Sequence, residues 1–302
     1  MSLQALIDYT FHLGDNALVL GHRNSEWTGH GPILEQDIAL SNIALDLIGQ
    51  ARNWYQYSAR LINAGAVGET GSGGGGYAGG GYLGNGGHSV GGYPGGSGHS
   101  GNGYLGGGRA GQPGLEVTED ALAYLRDGWD FKNCLLVEQA NGDWGKTVLR
   151  QFFFSAYQYY FYQSLERSRD KELSAIAEKS LKEVTYHLRW SSEWVIRLGD
   201  GTEESHSRME RAMDDLWKFT GELFLPSDYE QALSPAGIAV DLAAIRWMWE
   251  ERVEEVLKEA QLRKGVGNWM QTGGKQGKHT EHLGYLLAEM QFLQRAYPGC
   301  EW

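Results

Sequence analysis

"DKELSAIAEKSLKEVTYHLRWSSEWVIRLG", residues 170–199, is the cleanest helix in this chain, and its reading decides the fold. Leu173, Ile176, Ala177, Leu181, Val184, Leu188, Val195 and Leu198 recur at helical spacing, mostly three, four or seven residues apart. That period makes one apolar face on a 3.6-residue helix. Asp170 stands where an N-cap belongs and Gly199 where a helix stops. Working outward, "GPILEQDIALSNIALDLIGQARNWYQYSARLI" carries a second stripe: Leu40, Ala44, Leu47, Ala51, Trp54, Ser58 and Ile62. Pro32 is placed to open that helix, and its length corresponds to roughly 45 Å at 1.5 Å per residue.

Other segments follow the same period. Residues 3–21 form a helix ending near Gly21, and "TEDALAYLRD" is a short amphipathic piece. "FKNCLLVEQANGDWGKTVLRQFFFSAYQYYFYQSLERS" is interrupted at Asn141 and Gly142, with Asp143 as a new N-cap. Further helices are predicted at about 203–224, 241–263 and 278–297, the last ended by Pro298-Gly299. Alternating strand patterns are scarce. The fold class is all-α, a ferritin-like long-helix bundle with additional C-terminal helices, forming one domain over 1–302.

"GSGGGGYAGGGYLGNGGHSVGGYPGGSGHSGNGYLGGG", residues 71–108, is more than half glycine. Two long helices precede it and two follow, so it occupies the place of the crossover that a ferritin-like bundle needs between its second and third helices. The Gly-rich insertion is read as 65–116. A Gly-x-Gly-x-x-Gly match starting at Gly71 follows no strand and lacks a Gly-Lys-Ser/Thr ending, so no phosphate loop is indicated. Four Tyr, two Leu and one Val bury too little to offset the chain entropy of such a segment. The tract is expected to span the bundle as a flexible link.

The 302 residues carry a net charge of −12 and a pI near 5.2, which argues against nucleic acid or an anionic membrane as partner. No apolar run is long enough to span a bilayer. The opening "MSLQALIDYTFHLGDNALVL" lacks a basic head and carries Asp8 and Asp15 in its apolar stretch, so it reads as a helix and not as a signal peptide. Cys134 and Cys300 cannot make a disulfide framework or a cysteine-rich metal site, and a cytoplasmic location is expected.

A di-iron bundle draws a Glu from each of two helices and a Glu-x-x-His from each of the other two. The one literal Glu-x-x-His, Glu203 to His206 in "GTEESHSRME", lies in a polar helix start. Glu138 to Asn141 keeps the carboxylate and lacks the imidazole. His187 lies on an apolar stripe, but Val184 stands three residues before it and Glu183 falls at the stripe's edge. Asp46 points away from the inward stripe of its helix, which offers no ligand. His279 and His282, with Glu281 between, have a spacing that suits one metal, and "TGGKQGK" has the Lys275, Lys278 and glycine amides of a phosphate contact. A polar helix start explains the same residues. Cys134 sits before Leu135 and Leu136, a packing environment. No catalytic, cofactor-binding or metal-binding residue is assigned.

These segments resemble the PaaC-type subunits of bacterial phenylacetyl-CoA epoxidases. The resemblance rests on "LGDNALVLGHRNSEW", "LEQDIALSNIALDLIGQARN", "NCLLVEQANGDW", "KEVTYHLRWSSEWVIRLGDGTEES", "LWKFTGELF" and "TGGKQGKHTEHLGYLLAEMQFLQRAYPG". It covers nearly everything outside roughly residues 65–116, where the glycine tract departs from the family pattern. It implies a non-catalytic structural subunit of a multicomponent monooxygenase. A related ferritin-like catalytic subunit would hold the di-iron centre and epoxidise phenylacetyl-CoA, with electrons passed from NADPH by a reductase. Gln50 and Leu47 then stand about where a catalytic relative has a His and a Glu. No cofactor is expected in this chain, and acyl-CoA contact is expected only indirectly, through "TGGKQGKHTEH". One alternative is an autonomous di-iron oxygenase with Glu138, Glu183 and His187 as an unusual ligand set. Another is a binding module that presents the glycine tract.

Overall fold

The computed structural model describes residues 2–70, 116–265, 267 and 269–300, and every regular element among them is helical. Four long helices make the body: α1 (Leu3–Ser25), α2 (Leu34–Thr70), α5 (Trp144–Leu165) and α6 (Lys171–Gly199). Between α2 and α5 lie the short α3 (Glu119–Tyr124) and α4 (Leu135–Glu138). After α6 come α7 (Glu203–Leu216), α8 (Asp228–Leu233), α9 (Leu242–Glu259), α10 (Glu281–Met290) and α11 (Phe292–Ala296).

The predicted caps are in place. The Asp170 carboxylate accepts from the amides of Glu172 and Leu173, both at 3.0 Å, and that of Asp143 accepts from Lys146 at 3.0 Å. Gly21 does not end α1. A Cβ there would lie 3.0 Å from the Ile48 side chain and 3.3 Å from the Ala44 carbonyl, so the glycine lets α1 and α2 close together. The predicted helix 203–224 stops at Leu216. Two 3-10 turns, Trp217–Phe219 and Gly221–Phe224, follow it and turn Trp217, Phe219, Leu223 and Phe224 into the core. The predicted 278–297 splits at buried Gln291, whose amide donates to the carbonyls of Ala123 and Arg126.

Side-chain bonds between helices set the topology. Ser58 donates to Thr10 and Tyr55 to Asp15, so α2 runs antiparallel to α1. Asn24 pairs with Gln151 while Tyr9 meets Phe161, so α5 is antiparallel to α1 as well. Gln36 accepts from Trp190 and Trp194, Gln50 donates to Glu183, and Tyr57 donates to Asp170, which makes α6 antiparallel to α2. It follows that α2 and α5 are parallel and their connection must climb the bundle, as in a ferritin-like fold.

The climb is made by residues 117–143. Asn63 brackets Val117 by both of its backbone groups, at the end where α2 finishes. Higher up, Glu119 meets Gln56, and Arg126 and Lys132 meet Asp15. Cys134 then meets Asn16, and Glu138 and Asn141 reach Arg23. This corrects the expectation that the glycine tract spans the bundle. Its own course lies outside the described residues, but the chain leaves it at Val117 beside the end of α2, with the whole climb still to come.

Removing 71–108 should therefore leave the fold intact. α2 runs about 10 Å past Asn63, and residues 109–116 reach up to roughly 26 Å when extended. The shortened chain is expected to keep its helical circular dichroism and a thermal midpoint no lower than the full chain's. Loss of helical signal would contradict the assignment of the climb to 117–143.

Candidate functional site

A metal centre in such a bundle would form where α1, α2, α5 and α6 face one another. On α2 the inward side presents Leu47, Gln50 and Trp54, all buried. The Gln50 amide is 1% exposed and donates to Glu183 Oε2 on α6 at 2.9 Å. Its carbonyl oxygen faces the Tyr162 hydroxyl at 3.3 Å and the Gln158 amide at 3.5 Å, both on α5. One turn along, His187 Nε2 lies 3.0 Å from Asp46 Oδ2. The expectation that Asp46 points away from the interior does not hold. Asp46 is half-exposed at the α2–α6 seam, and the close antiparallel approach of α6 brings the buried imidazole to it. Toward the far end, Asn24 donates to Gln151 at 2.7 Å and Gln151 to Ser155 at 2.8 Å.

These groups bond one another in part: Gln50 is engaged at both ends, while His187 Nδ1 and Gln158 Oε1 are buried without a hydrogen-bond partner. Burial pushes the Glu183 carboxyl up, and the Gln50 amide works against that shift. Tyr162 is pushed up to about 12, chiefly by burial. A di-iron bundle needs four carboxylates and two imidazoles aimed at one point. Here the amides of Gln50, Gln151 and Gln158 occupy inward positions, and among the described residues no three His, Cys, Asp or Glu side chains group in a way that could hold a metal ion. The residues present do not fit a di-iron centre.

Glu138, the carboxylate of "LLVEQAN", lies elsewhere. Oε1 accepts from the Thr280 amide at 2.6 Å and the Thr280 hydroxyl at 2.8 Å. Oε2 faces His279 Nδ1 at 2.8 Å and Asn133 Nδ2 at 2.9 Å. It does not converge with Glu183 and His187. Asn141 turns away from it to the Arg23 carbonyl and Glu26.

Two more glutamates complete the pattern. Glu222 accepts from the amides of Leu135, Gly273 and Gly274, each at 2.7 Å. Burial pushes its carboxyl up, and those amides and Lys275 pull it back. Glu230 faces Lys275 Nζ at 3.0 Å, both side chains 2% exposed. Burial raises the Glu230 carboxyl, but Lys275 and His12 more than offset this and it ends below the usual range. The segment "TGGKQGKHT" thus does bind anions, and the anions are the protein's own carboxylates. The phosphate reading fails because Gly273, Gly274 and Lys275 are already bonded inside. His279 and His282 do not share a metal position either: His279 turns to Glu138, and the pair is in no group of three potential ligands among the described residues.

The remaining candidates are structural. His206 bonds the Gly199 carbonyl at 2.7 Å behind a Thr202–Ser205 capping box, so Glu203 to His206 is a helix start. Burial pushes the Cys134 thiol well up, the opposite of a reactive cysteine. One network gives no sequence signal as a site. Asp15 pairs with buried Arg126 and accepts from Tyr55 and the Lys132 amide. Its one trace in the sequence is a charge inside an apolar run.

Comparison with known proteins shows the family. The family model described as "Phenylacetic acid catabolic protein" matches residues 1–70 and 99–302, leaving out most of the glycine tract. The C-type component of the 1,2-phenylacetyl-CoA epoxidase of Escherichia coli (strain K12) is 41% identical over 300 residues, which cover 99% of this chain and 100% of that protein. No helix among the described residues is long and apolar enough to cross a membrane.

The buried charges make two effects measurable. Lys275→Met leaves Glu230 buried without its cation and should cost about 3–5 kcal/mol in denaturant unfolding. Adding Glu230→Gln, which keeps an acceptor for Ser227, should recover most of that loss. His12 is pushed down to about 4 by burial and by Lys275. The unfolded chain takes up this proton near pH 6.5, as an unperturbed histidine does, so stability should fall as pH drops from there toward 4. The slope is up to about 1.4 kcal/mol per pH unit, and His12→Asn should flatten that part of the stability–pH curve.

Proposed function

The chain belongs to the phenylacetic acid catabolic protein family, and we propose that within it the chain is a supporting, non-catalytic subunit of a phenylacetyl-CoA 1,2-epoxidase. The observation that carries this reading is the bundle centre. Gln50 and Leu47 stand on the inward face of α2, and Gln50 is bonded to Glu183, Tyr162 and Gln158. Inward amides thus stand among the positions where a di-iron bundle would place carboxylates and imidazoles. The di-iron centre belongs to a related ferritin-like partner, and a reductase subunit supplies electrons from NADPH. This chain contributes a folded bundle against which the catalytic one packs, in the cytoplasm.

An autonomous oxygenase would require Glu138, Glu183 and His187 to meet at one metal. Glu138 is instead engaged with His279, Thr280 and Asn133, and His187 with Asp46. Contact with the acyl-CoA is not assigned to 272–282, since its glycine amides and Lys275 face inward.

The test is reconstitution of the complex with and without this chain, followed by phenylacetyl-CoA-dependent NADPH oxidation. Turnover is expected to collapse when the chain is omitted. It is expected to be unchanged when this chain carries Glu183→Gln, because a glutamine carbonyl still accepts from Gln50. Full turnover without the chain would remove the supporting role, and loss of turnover in Glu183→Gln would place chemistry here.

A further inference from the structure

His279 stands where the segment 270–280 leaves its 3-10 turn, Gly274–Gln276, and meets α10. Its side chain is 7% exposed. Nδ1 lies 2.8 Å from Glu138 Oε2, and Nε2 lies 2.9 Å from the Phe131 carbonyl oxygen. A backbone carbonyl can only accept. The Glu138 carboxylate, when ionised, can also only accept, and its two oxygens take three other donors, Asn133 Nδ2, the Thr280 amide and the Thr280 hydroxyl. A neutral imidazole carries one N–H and would set a bare ring nitrogen against an oxygen lone pair on one side or the other. Only the imidazolium donates on both sides.

We propose that His279 is held as an imidazolium and works as a proton-dependent latch, fastening the segment before α10 to the climbing segment at Phe131 and Glu138. Losing the proton breaks one of the two bonds and leaves Glu138 buried without a cation against it, which loosens residues 278–290. The latch is independent of the subunit role.

The charged surroundings agree. On α4, Glu138 faces the ring directly. On α1, Asp15 favours the cation and is itself paired with Arg126, while Arg23 is engaged with the carbonyls of Glu138 and His282. Within the segment, Lys275 is neutralised by Glu230, Lys278 is exposed, and Glu281 sits at the first position of α10. Burial lowers the His279 value, but Glu138, the Phe131 carbonyl and Asp15 outweigh it and the net shift is upward. A folded value above the unfolded one means the stabilisation is fully present below about pH 6.5. It is lost as pH rises through the raised folded value. This is opposite in sign to His12.

The experiment uses the full chain with 15N-labelled histidine. Ring nitrogen shifts are expected to show His279 protonated at both nitrogens at pH 6, and to titrate above the ordinary histidine value. Glu138→Gln should bring that titration down. Hydrogen exchange of 278–290, corrected for the intrinsic pH effect, should accelerate as His279 loses its proton and should be fast and pH-independent in His279→Gln. A neutral single-tautomer ring at pH 6 overturns the proposal. So does protection of 278–290 that stays constant through the His279 titration. If His279→Gln fails to fold, the wild-type shifts and exchange decide the matter alone.

Discussion

A connection that climbs a helical bundle largely outside regular helix must bury peptide groups, and each one needs a partner. Because α2 and α5 run parallel, residues 117–143 face that demand along the length of α1, and many of the polar residues in the core answer it. Asp15 takes the Lys132 amide, Asn16 the Cys134 amide and Glu222 the Leu135 amide, while His12 bonds the Lys132 carbonyl and Arg23 the Glu138 carbonyl. The C-terminal segment then covers the climb from outside. Burying carboxylates costs several kcal/mol each unless donors surround them. Glu138, Glu222 and Glu230 do not meet that condition without Gly273, Gly274, Lys275, His279 and Thr280. The climb and its cover are therefore interdependent.

The interior of the four long helices solves a different problem. In a bundle that holds two metal ions, cations balance a concentration of inward carboxylates. Here Gln50, Gln158, Gln151 and Asn24 put amides on the inward faces, and the titratable groups nearby, Glu183 and His187, are engaged by Gln50 and Asp46.

The long helices are legible in the sequence because local chemistry determines them. The stripe of α6 and the caps at Asp143 and Asp170 lie within a few residues of what they control. Gln50 is legible only through the family resemblance, since the stripe of α2 runs through Leu47, Ala51 and Trp54. The climb and the C-terminal cover are not legible, since their bonds join residues more than a hundred positions apart, as in Asp15 with Arg126 or Glu138 with His279. "TGGKQGKHT" shows the limit well. Its amides and Lys275 do form an anion site, yet nothing local reveals that Glu222 and Glu230 already fill it. Asp46 is misplaced for a geometric reason: a wheel position at the edge of a stripe says little about a side chain that reaches across a seam. The glycine tract lies between the expected helices, but its composition gives no sign that the following segment makes the crossing.

The proposed supporting role has one direct consequence. It shows in the metal content of this chain after purification with its catalytic partner from iron-replete cells and separation of the two under native conditions. Iron is predicted with the partner, and none above background on this chain. About two irons retained per chain, and released by Glu183→Ala, would contradict it.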